Sequence, residues 1–177
     1  ITPGDSILGT STPVSIGAGG SSSSDVIWFD DNAPSGVPDP FSWQTVSPPG
    51  PDSGSRYDLL DDLSGTHQQY FDNSPTTLPV GVGDNMIVSV YLDPTYPPSE
   101  LMIQWNNGIG SDGGWAHRAY WGSNSINWGI DGTGSRSYMD ILPPLGGWRR
   151  LIIPASQVDL EGTTVKGFAF TLYDGKG

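Results

Sequence analysis

Tryptophan is concentrated in one part of this chain. Of the seven tryptophans, three lie within a stretch of fourteen residues, at Trp115, Trp121 and Trp128. Indole is a large, flat and mostly apolar ring with one N–H donor, so a cluster of such rings either fills a core or forms a stacking surface for a flat ligand. Pyranose rings stack on indole through their C–H faces while their hydroxyls bond to polar side chains. The cluster therefore makes carbohydrate the candidate ligand, with burial in the core as the alternative.

Polar side chains suited to sugar hydroxyls accompany these rings. In a strand over residues 115–121, alternation places His117 and Trp121 on one face and Arg118 and Tyr120 on the other. The pattern does not decide which face points to the core, so both faces stay candidates. The predicted ligand-binding residues are Trp105, Trp115, His117, Arg118, Tyr120, Trp121 and Trp128.

Recognisable catalytic patterns are missing or misplaced. Residues 108–113 match GxGxxG, but a dinucleotide fingerprint opens a helix and here a strand is expected next, so we interpret them as a hairpin loop. The sequence has no cysteine, no GxSxG motif and only two histidines, which removes the usual pairs of nucleophile and base. Glycoside hydrolysis needs two neighbouring carboxyls, and the many aspartates leave that alternative open. The sequence predicts a protein that is not an enzyme.

Aspartates mark a candidate metal site. Asp30 and Asp31 end the first predicted strand of the globular part and Asp174 ends the last one, and the first and last strands of a sandwich often lie near each other. Carboxylates gathered there would repel one another without a cation, and Ca²⁺ prefers such oxygen ligands. A structural Ca²⁺ held by these three residues is one hypothesis, and solvated loop aspartates that never meet are the other.

Composition favours short strands and turns over helices. The chain has 25 glycines, 16 prolines and 15% charged residues, which is typical of an all-β domain. The net charge of −12 opposes binding to nucleic acid or to an anionic membrane, and no apolar run approaches the ~20 residues needed for membrane insertion. Abundant glycine, serine, threonine and aspartate with little lysine predict an extracellular or cell-surface location.

Short apolar runs between turn signals locate the strands that must position these residues. We predict strands at residues 26–29, 66–72, 85–92, 100–105, 115–121, 148–153 and 165–173, a further one at 41–46, and one helical turn at 155–158. Over residues 86–92 one face is wholly apolar, as in a strand against a core. The number and spacing of the strands predict an all-β fold, a two-sheet antiparallel jelly-roll sandwich formed by residues 25–177.

Residues 1–24 differ from the rest of the chain. Apolar residues are sparse up to residue 16, and a Gly/Ser tract follows at 17–24. We predict an extended arm and tether whose anchors are Ile7, Leu8, Val14 and Ile16. Added as a strand to the open sheet edge of a neighbouring copy, this arm would make the protein a structural subunit of an extracellular filament or surface assembly. A disordered interdomain linker is the alternative.

Several segments together resemble a known kind of domain. They are VYLDP (residues 90–94), PPSELMIQW (97–105), WAHRAYWG (115–122), NWG (127–129), GWRRL (147–151), PAS (154–156) and VKGFAFTLY (165–173). The match covers about residues 25–177 and is similar to an accessory domain that recurs in large secreted bacterial proteins, beside repeat arrays or cytochrome-like domains.

The resemblance implies a jelly-roll module similar to carbohydrate-binding modules, without catalytic residues. This chain departs from the pattern by a longer loop at residues 106–114 and by Ala116, where an acidic residue is common. It also lacks, within residues 1–177, a last Trp-Asp strand, which would leave a sheet edge unpaired. The leading hypothesis is a non-catalytic, secreted carbohydrate-binding β-sandwich.

Overall fold

The protein is all-β. The structure, a computed structural model, describes residues 25–61, 64–110 and 112–177, together with the backbone of residues 14–17. These residues form β1 (Val14–Gly17), β2 (Val26–Phe29), β3 (Thr66–Phe71), β4 (Leu78–Pro79), β5 (Asn85–Val90), β6 (Glu100–Asn106), β7 (His117–Gly122), β8 (Ser137–Asp140), β9 (Arg149–Pro154), β10 (Thr164–Val165), β11 (Gly167–Tyr173) and one turn of 3₁₀ helix (Ala155–Val158). No helix in this part of the chain is long and apolar enough to span a bilayer.

Most strands belong to two sheets. One sheet has the order β2-β1-β5-β9 and the other the order β3-β11-β6-β7-β8, while β4 and β10 form a separate pair. Every pair is antiparallel except β7 and β8, which run parallel. The prediction of purely antiparallel sheets is therefore wrong at this edge. Two parallel neighbours need a crossover rather than a hairpin, and residues 123–136 provide it.

One hydrophobic core is shared by the two sheets. β5 contributes Met86, Val88 and Val90, which alternation keeps on one face, and the five-stranded sheet contributes Trp105 and Phe168 among others. Burial of each such side chain stabilises the fold by roughly 1.5–3 kcal/mol. The architecture is that of a β-sandwich. Its strand β6 is buried at all seven positions, because the core covers one face and later parts of the chain cover the other.

The sequence located most strands but not all. β3, β5, β6, β9 and β11 match predicted strands to within a few residues, and the 3₁₀ turn lies at the predicted helical turn. β8 has no predicted counterpart, because four residues of mixed polarity give little alternation signal. The strand predicted at residues 41–46 is wrong. Gln44 makes only an isolated bridge with Tyr57, and the surrounding prolines cannot donate to a sheet ladder.

The predicted arm contains a strand of this chain's own sheet. β1 lies between β2 and β5, so that Ser15 pairs with Ile27 on one side and with Ile87 on the other. Val14 and Ile16 belong to β1. The other two predicted anchors, Ile7 and Leu8, and the tether over residues 18–24 lie outside the described residues.

Candidate functional site on the outer face of the five-stranded sheet

The predicted ligand-binding segment is divided between the two faces of β7. Ala119 and Trp121 belong to the core, so alternation puts His117 on the same inner face and Arg118 and Tyr120 on the outer face of the sheet. The expected alternation is confirmed from His117 onwards, while Trp115 precedes the strand in a loop. In this segment only the outer-face residues and Trp115 are left as candidates for contact with a ligand.

Three of the predicted contact residues are structural. Trp105 is 0% exposed, Trp121 is also buried, and both belong to the main core. His117 is buried in register with Trp105, and its Nδ1 lies 2.7 Å from the carbonyl oxygen of Val158 in the 3₁₀ turn. The prediction of exposed contact residues is therefore wrong for these three, because the inner face of β7 lies against the core and burial of such large rings stabilises the sandwich.

The loop over residues 123–136 covers Tyr120 as well. Ile126 packs on Tyr120 and Met102 at the outer face of the sheet. The Tyr120 hydroxyl donates a 2.8 Å hydrogen bond to Asp131, and burial together with this bond raises the pKa of Tyr120 to about 12. The prediction of an exposed contact residue is therefore wrong for Tyr120 as well. Trp128, in the same loop, is 37% exposed and stays a candidate contact residue.

An aromatic pair stands at the β3 edge of the outer face. Tyr70 on β3 is 48% exposed, and Trp115 lies edge-on to it, with ring centroids 5.8 Å apart and an interplanar angle of 86°. The register across the sheet aligns Tyr70 with Ala169, then Gln104, then Arg118. This row places the Tyr70 ring and two polar side chains on one line, and Trp115 packs against the Tyr70 end of it. We call the sheet-face site the group Gln68, Tyr70, Gln104, Asp112, Trp115, Arg118 and Thr171.

Hydrogen bonds fix the polar side chains of the sheet-face site. Gln104 Nε2 donates to Thr171 Oγ1 at 2.8 Å and to Gln68 Oε1 at 3.1 Å. Arg118 Nε donates to Gln104 Oε1 at 2.8 Å. The Gln68 side chain is exposed, and its amide nitrogen has no hydrogen-bond partner among the described residues. The network is therefore rigid at its buried end and has a free donor at its exposed end.

Arg118 carries the positive charge of the site. Its Nη1 donates to the Ser135 carbonyl oxygen at 3.1 Å, and its Nη2 lies 3.4 Å from Asp112 Oδ2. Burial lowers the pKa of Arg118, and the partly exposed Asp112 carboxylate opposes that effect. A guanidinium group has more N–H donors than these partners use, so Arg118 retains capacity to donate to a ligand oxygen.

The β6–β7 loop determines where Trp115 lies. Asn106 Nδ2 donates to the Gly113 carbonyl oxygen at 2.9 Å, and Asn106 Oδ1 accepts from the Gly108 N–H at 2.7 Å. Gly114 has a φ of +93°, and a Cβ there would lie 2.3 Å from the Gly108 nitrogen, so the loop closes in this way only with glycine. The closed loop brings the Trp115 ring back to Tyr70 on β3.

Most of the sheet-face site was not predicted from the sequence. Gln68, Tyr70, Gln104 and Thr171 come from β3, β6 and β11, and only the strand register brings them together. One signal was present: Gln104 is a polar residue inside an apolar strand, and a buried amide requires hydrogen-bond partners.

The three predicted metal ligands have other hydrogen-bond partners. Asp31 accepts from the backbone N–H groups of Ser55 and Arg56, and Asp174 Oδ1 accepts from the Gly65 N–H at 2.6 Å. The described residues contain no group of three or more His, Cys, Asp or Glu side chains that could hold a metal. Asp30, Asp31 and Asp174 are therefore not brought together as a metal site there, and calcium binding stays a prediction.

A second region rich in aromatic side chains lies at one end of the core. The loop over residues 39–60 and the end of β5 enclose a cavity of about 160 Å³. Its lining includes Trp43, Tyr57, Tyr91 and Trp148, and the Trp148 ring is edge-on to Tyr57 and Tyr91, with centroids 6.2 and 5.9 Å apart. We call this cavity the aromatic cleft. Its four rings were not among the predicted site residues, because they are scattered along the chain.

Carboxylates of the aromatic cleft are poorly neutralised. Asp58 Oδ2 is sealed from solvent and has no hydrogen-bond partner within the described residues, and burial raises the pKa of Asp58 to about 7. Its other oxygen accepts a 2.8 Å hydrogen bond from the Ser42 N–H. Burial also raises the pKa of Asp30, and repulsion from Asp31 and Asp52 adds to that shift. The cleft therefore combines an apolar lining with carboxyl groups that have no ion-pair partner among the described residues.

Comparison of the chain with family models, with curated proteins and with solved structures finds no match. Function is therefore inferred from the geometry and chemistry of the two aromatic regions.

Proposed function

We propose that this protein is a non-catalytic carbohydrate-binding domain of the jelly-roll type, secreted or exposed at a cell surface, with its ligand at the sheet-face site. The observation that carries the proposal is the Tyr70–Trp115 pair beside a row of hydrogen-bonded amide and guanidinium groups. A sugar offers apolar C–H faces and polar hydroxyls on one small ring, so its recognition needs both kinds of group side by side.

The rigidity of the network supports this function. Gln104 and Arg118 are buried and already bonded to one another, so they would lose little conformational freedom when a ligand arrives. Gln68 at the solvent edge still has an unused amide donor. A hydroxyl group placed between Gln68 and the aromatic pair would gain a hydrogen bond without breaking one inside the protein.

The carboxylate content of the site supports a non-catalytic role. Glycoside hydrolases use a pair of carboxyls flanking the scissile bond. Asp112 is the one carboxylate of the sheet-face site, and it faces the Arg118 guanidinium rather than a second carboxyl.

Affinity electrophoresis in gels that contain soluble polysaccharides, together with a glycan array, tests the proposal. We expect Tyr70→Ala to weaken retention by about tenfold, since an aromatic contact of this kind contributes about 1 kcal/mol beyond its buried area. Tyr138→Ala is the matched control, because Tyr138 is 51% exposed on β8 at the other edge of the same sheet. Absence of retention on every polysaccharide, with and without Ca²⁺, would contradict the proposal, and so would equal retention of the two variants.

A second candidate function is a structural subunit that joins copies of itself by exchange of β1. Exposed apolar side chains favour this candidate: Ile27 and Ile152 are each 57% exposed. They lie in one row of the four-stranded sheet, through Ser15 and Ile87. Exchange of β1 would preserve every pairing of that row while linking two chains.

Disulfide trapping distinguishes exchange from pairing within one chain. The natural sequence has no cysteine, so Ser15→Cys combined with Ile27→Cys introduces one pair at positions that are in register. Exchange predicts covalent dimers and longer ladders on non-reducing gels. A product that stays monomeric, with its two cysteines oxidised to each other, would contradict the structural-subunit function and leave the carbohydrate proposal unaffected.

A further inference from the structure

The aromatic cleft shares no residue with the sheet-face site and suits a different kind of ligand. Its walls are mainly apolar, with aliphatic side chains of both sheets behind Trp43, Tyr57 and Trp148. A sugar would leave most of its hydroxyls without partners there, and each unpaired buried polar group is costly. The body of a suitable ligand is therefore apolar.

The charged side chains around the cleft favour one sign of charge on that ligand. Four carboxylates line it, Asp30, Asp52, Asp58 and Asp93, against two cationic side chains, Arg56 and Lys176. Asp93 is already satisfied, since its Oδ1 accepts hydrogen bonds from the N–H groups of Thr95 and Tyr96. Asp30 and Asp52 remain as the negative charge, and neither has an ion-pair partner among the described residues. Asp58 adds little, because burial raises its pKa to about 7.

The two cationic side chains of the cleft lining each lie over an aromatic ring. The Arg56 guanidinium lies 5.4 Å from the centre of the Trp43 ring, and the Lys176 ammonium lies 5.3 Å from the centre of the Tyr96 ring. Arg56 also donates to Asn32. These contacts use the attraction between a cation and the negative face of an aromatic ring. Within the described residues no cation lies over the rings of Tyr57, Tyr91 or Trp148.

We propose that the aromatic cleft binds a small organic cation with an apolar body, of the arylalkylammonium class. The aryl group lies among Tyr57, Tyr91 and Trp148, and the ammonium group faces Asp30 and Asp52 at the mouth of the cleft. An ion pair at a partly buried site is screened less by water and salt than one at the open surface, so the charge of the ligand contributes to affinity as well as its apolar body.

Nuclear magnetic resonance of the natural protein tests this assignment with phenethylammonium as the probe and 2-phenylethanol as its uncharged counterpart. The indole N–H groups of Trp43 and Trp148 donate to Asp39 and to the Gly50 carbonyl oxygen, so their resonances report on the cleft. We expect phenethylammonium to shift both signals in a saturable way and 2-phenylethanol to need at least about tenfold higher concentration, which corresponds to about 1.4 kcal/mol. The indole signals of Trp115 and Trp128 should stay in place.

Charge-removing variants test the role of the carboxylates. Asp52→Asn and Asp30→Asn should each weaken phenethylammonium binding several-fold, whereas Asp140→Asn, at the exposed edge strand β8, changes the net charge equally and should leave binding unchanged. Equal affinity for the alcohol and the ammonium ion would overturn the proposal. Shifts confined to Trp115 or Trp128 would overturn it as well, and so would binding of a lysine-containing peptide without binding of phenethylammonium.

Discussion

The sheet-face site and the aromatic cleft differ in how their polar groups are partnered. In the sheet-face site the buried polar side chains bond to one another, as Gln104 and Arg118 do, and few rings are present. In the aromatic cleft many rings surround carboxylates such as Asp58, which has an oxygen without a partner in the described part of the chain. A site of the first kind selects ligands by hydrogen-bond geometry, whereas a site of the second kind selects them by charge.

The largest effect on the free energy of unfolding is expected for a core ring of the aromatic segment, in contrast to the exposed ring of the same segment. Trp121→Ala should lower the free energy of unfolding by about 4 kcal/mol, because it removes a buried ring and leaves a cavity. Trp128→Ala is the control and should change it by less than about 0.5 kcal/mol. Urea unfolding followed by circular dichroism measures both. A small effect of Trp121→Ala would return this ring to the candidate ligand-binding residues.

An intermediate effect is expected for the guanidinium of the sheet-face site. Arg118→Met should lower the free energy of unfolding by about 2 kcal/mol, since Gln104 Oε1 loses its donor in a buried position. Arg150→Met breaks an exposed ion pair with Asp25 and should cost at most about 0.5 kcal/mol. Similar unfolding midpoints for the two variants would show that the network is not rigid, and the contrast with the cleft would then disappear.

The smallest effect of a substitution is expected for Asp58→Asn, which acts through a pH dependence that originates in the cleft. The pKa of Asp58 is about 7 in the folded protein, above its ordinary value of 3.8, so the folded state holds the extra proton between these pH values. Stability from this group is therefore lost as pH rises from about 4 to above 7. Asp58→Asn keeps an oxygen to accept from the Ser42 N–H and should remove this slope. It should be more stable than the natural protein by about 1 kcal/mol at pH 8, because its NH₂ group takes the sealed position of Oδ2 without a partner and offsets part of the gain from losing the charge.

Unfolding midpoints measured at pH 5 and pH 8 for the natural protein, Asp58→Asn and the exposed control Asp140→Asn check this prediction. The natural protein and Asp140→Asn should share the same loss of stability between the two pH values. An Asp58→Asn variant that shows the full loss would place the responsible group elsewhere.

The strands that could be predicted from the sequence are those with a strong local pattern. β5 shows regular alternation and β11 is rich in aromatic and β-branched residues, so both were predicted. β8 was not, because its position depends on a parallel pairing with β7 that no local pattern encodes. β1 was not, because its residues look like an arm until β2 and β5 are placed on either side of them.

The site residues that were predicted are likewise those that lie close together in sequence. Trp115 and Arg118 were predicted because they are close together in sequence, and Trp105 was predicted with them for the same reason although it belongs to the core. Tyr70 and Gln68 join the sheet-face site through the register of β3 and β11. The aromatic cleft draws on six separate parts of the chain, and composition alone cannot show that distant rings converge.

Strand β6 has no solvent on either face, and this has a consequence for deuterium exchange. Its amide protons can reach heavy water only when the whole domain opens, so their exchange rate measures global unfolding. Molecules that occupy the folded state of either aromatic region would slow that exchange in proportion to their occupancy. Amide exchange in this one strand therefore reports ligand binding at both regions, and neither region needs a label.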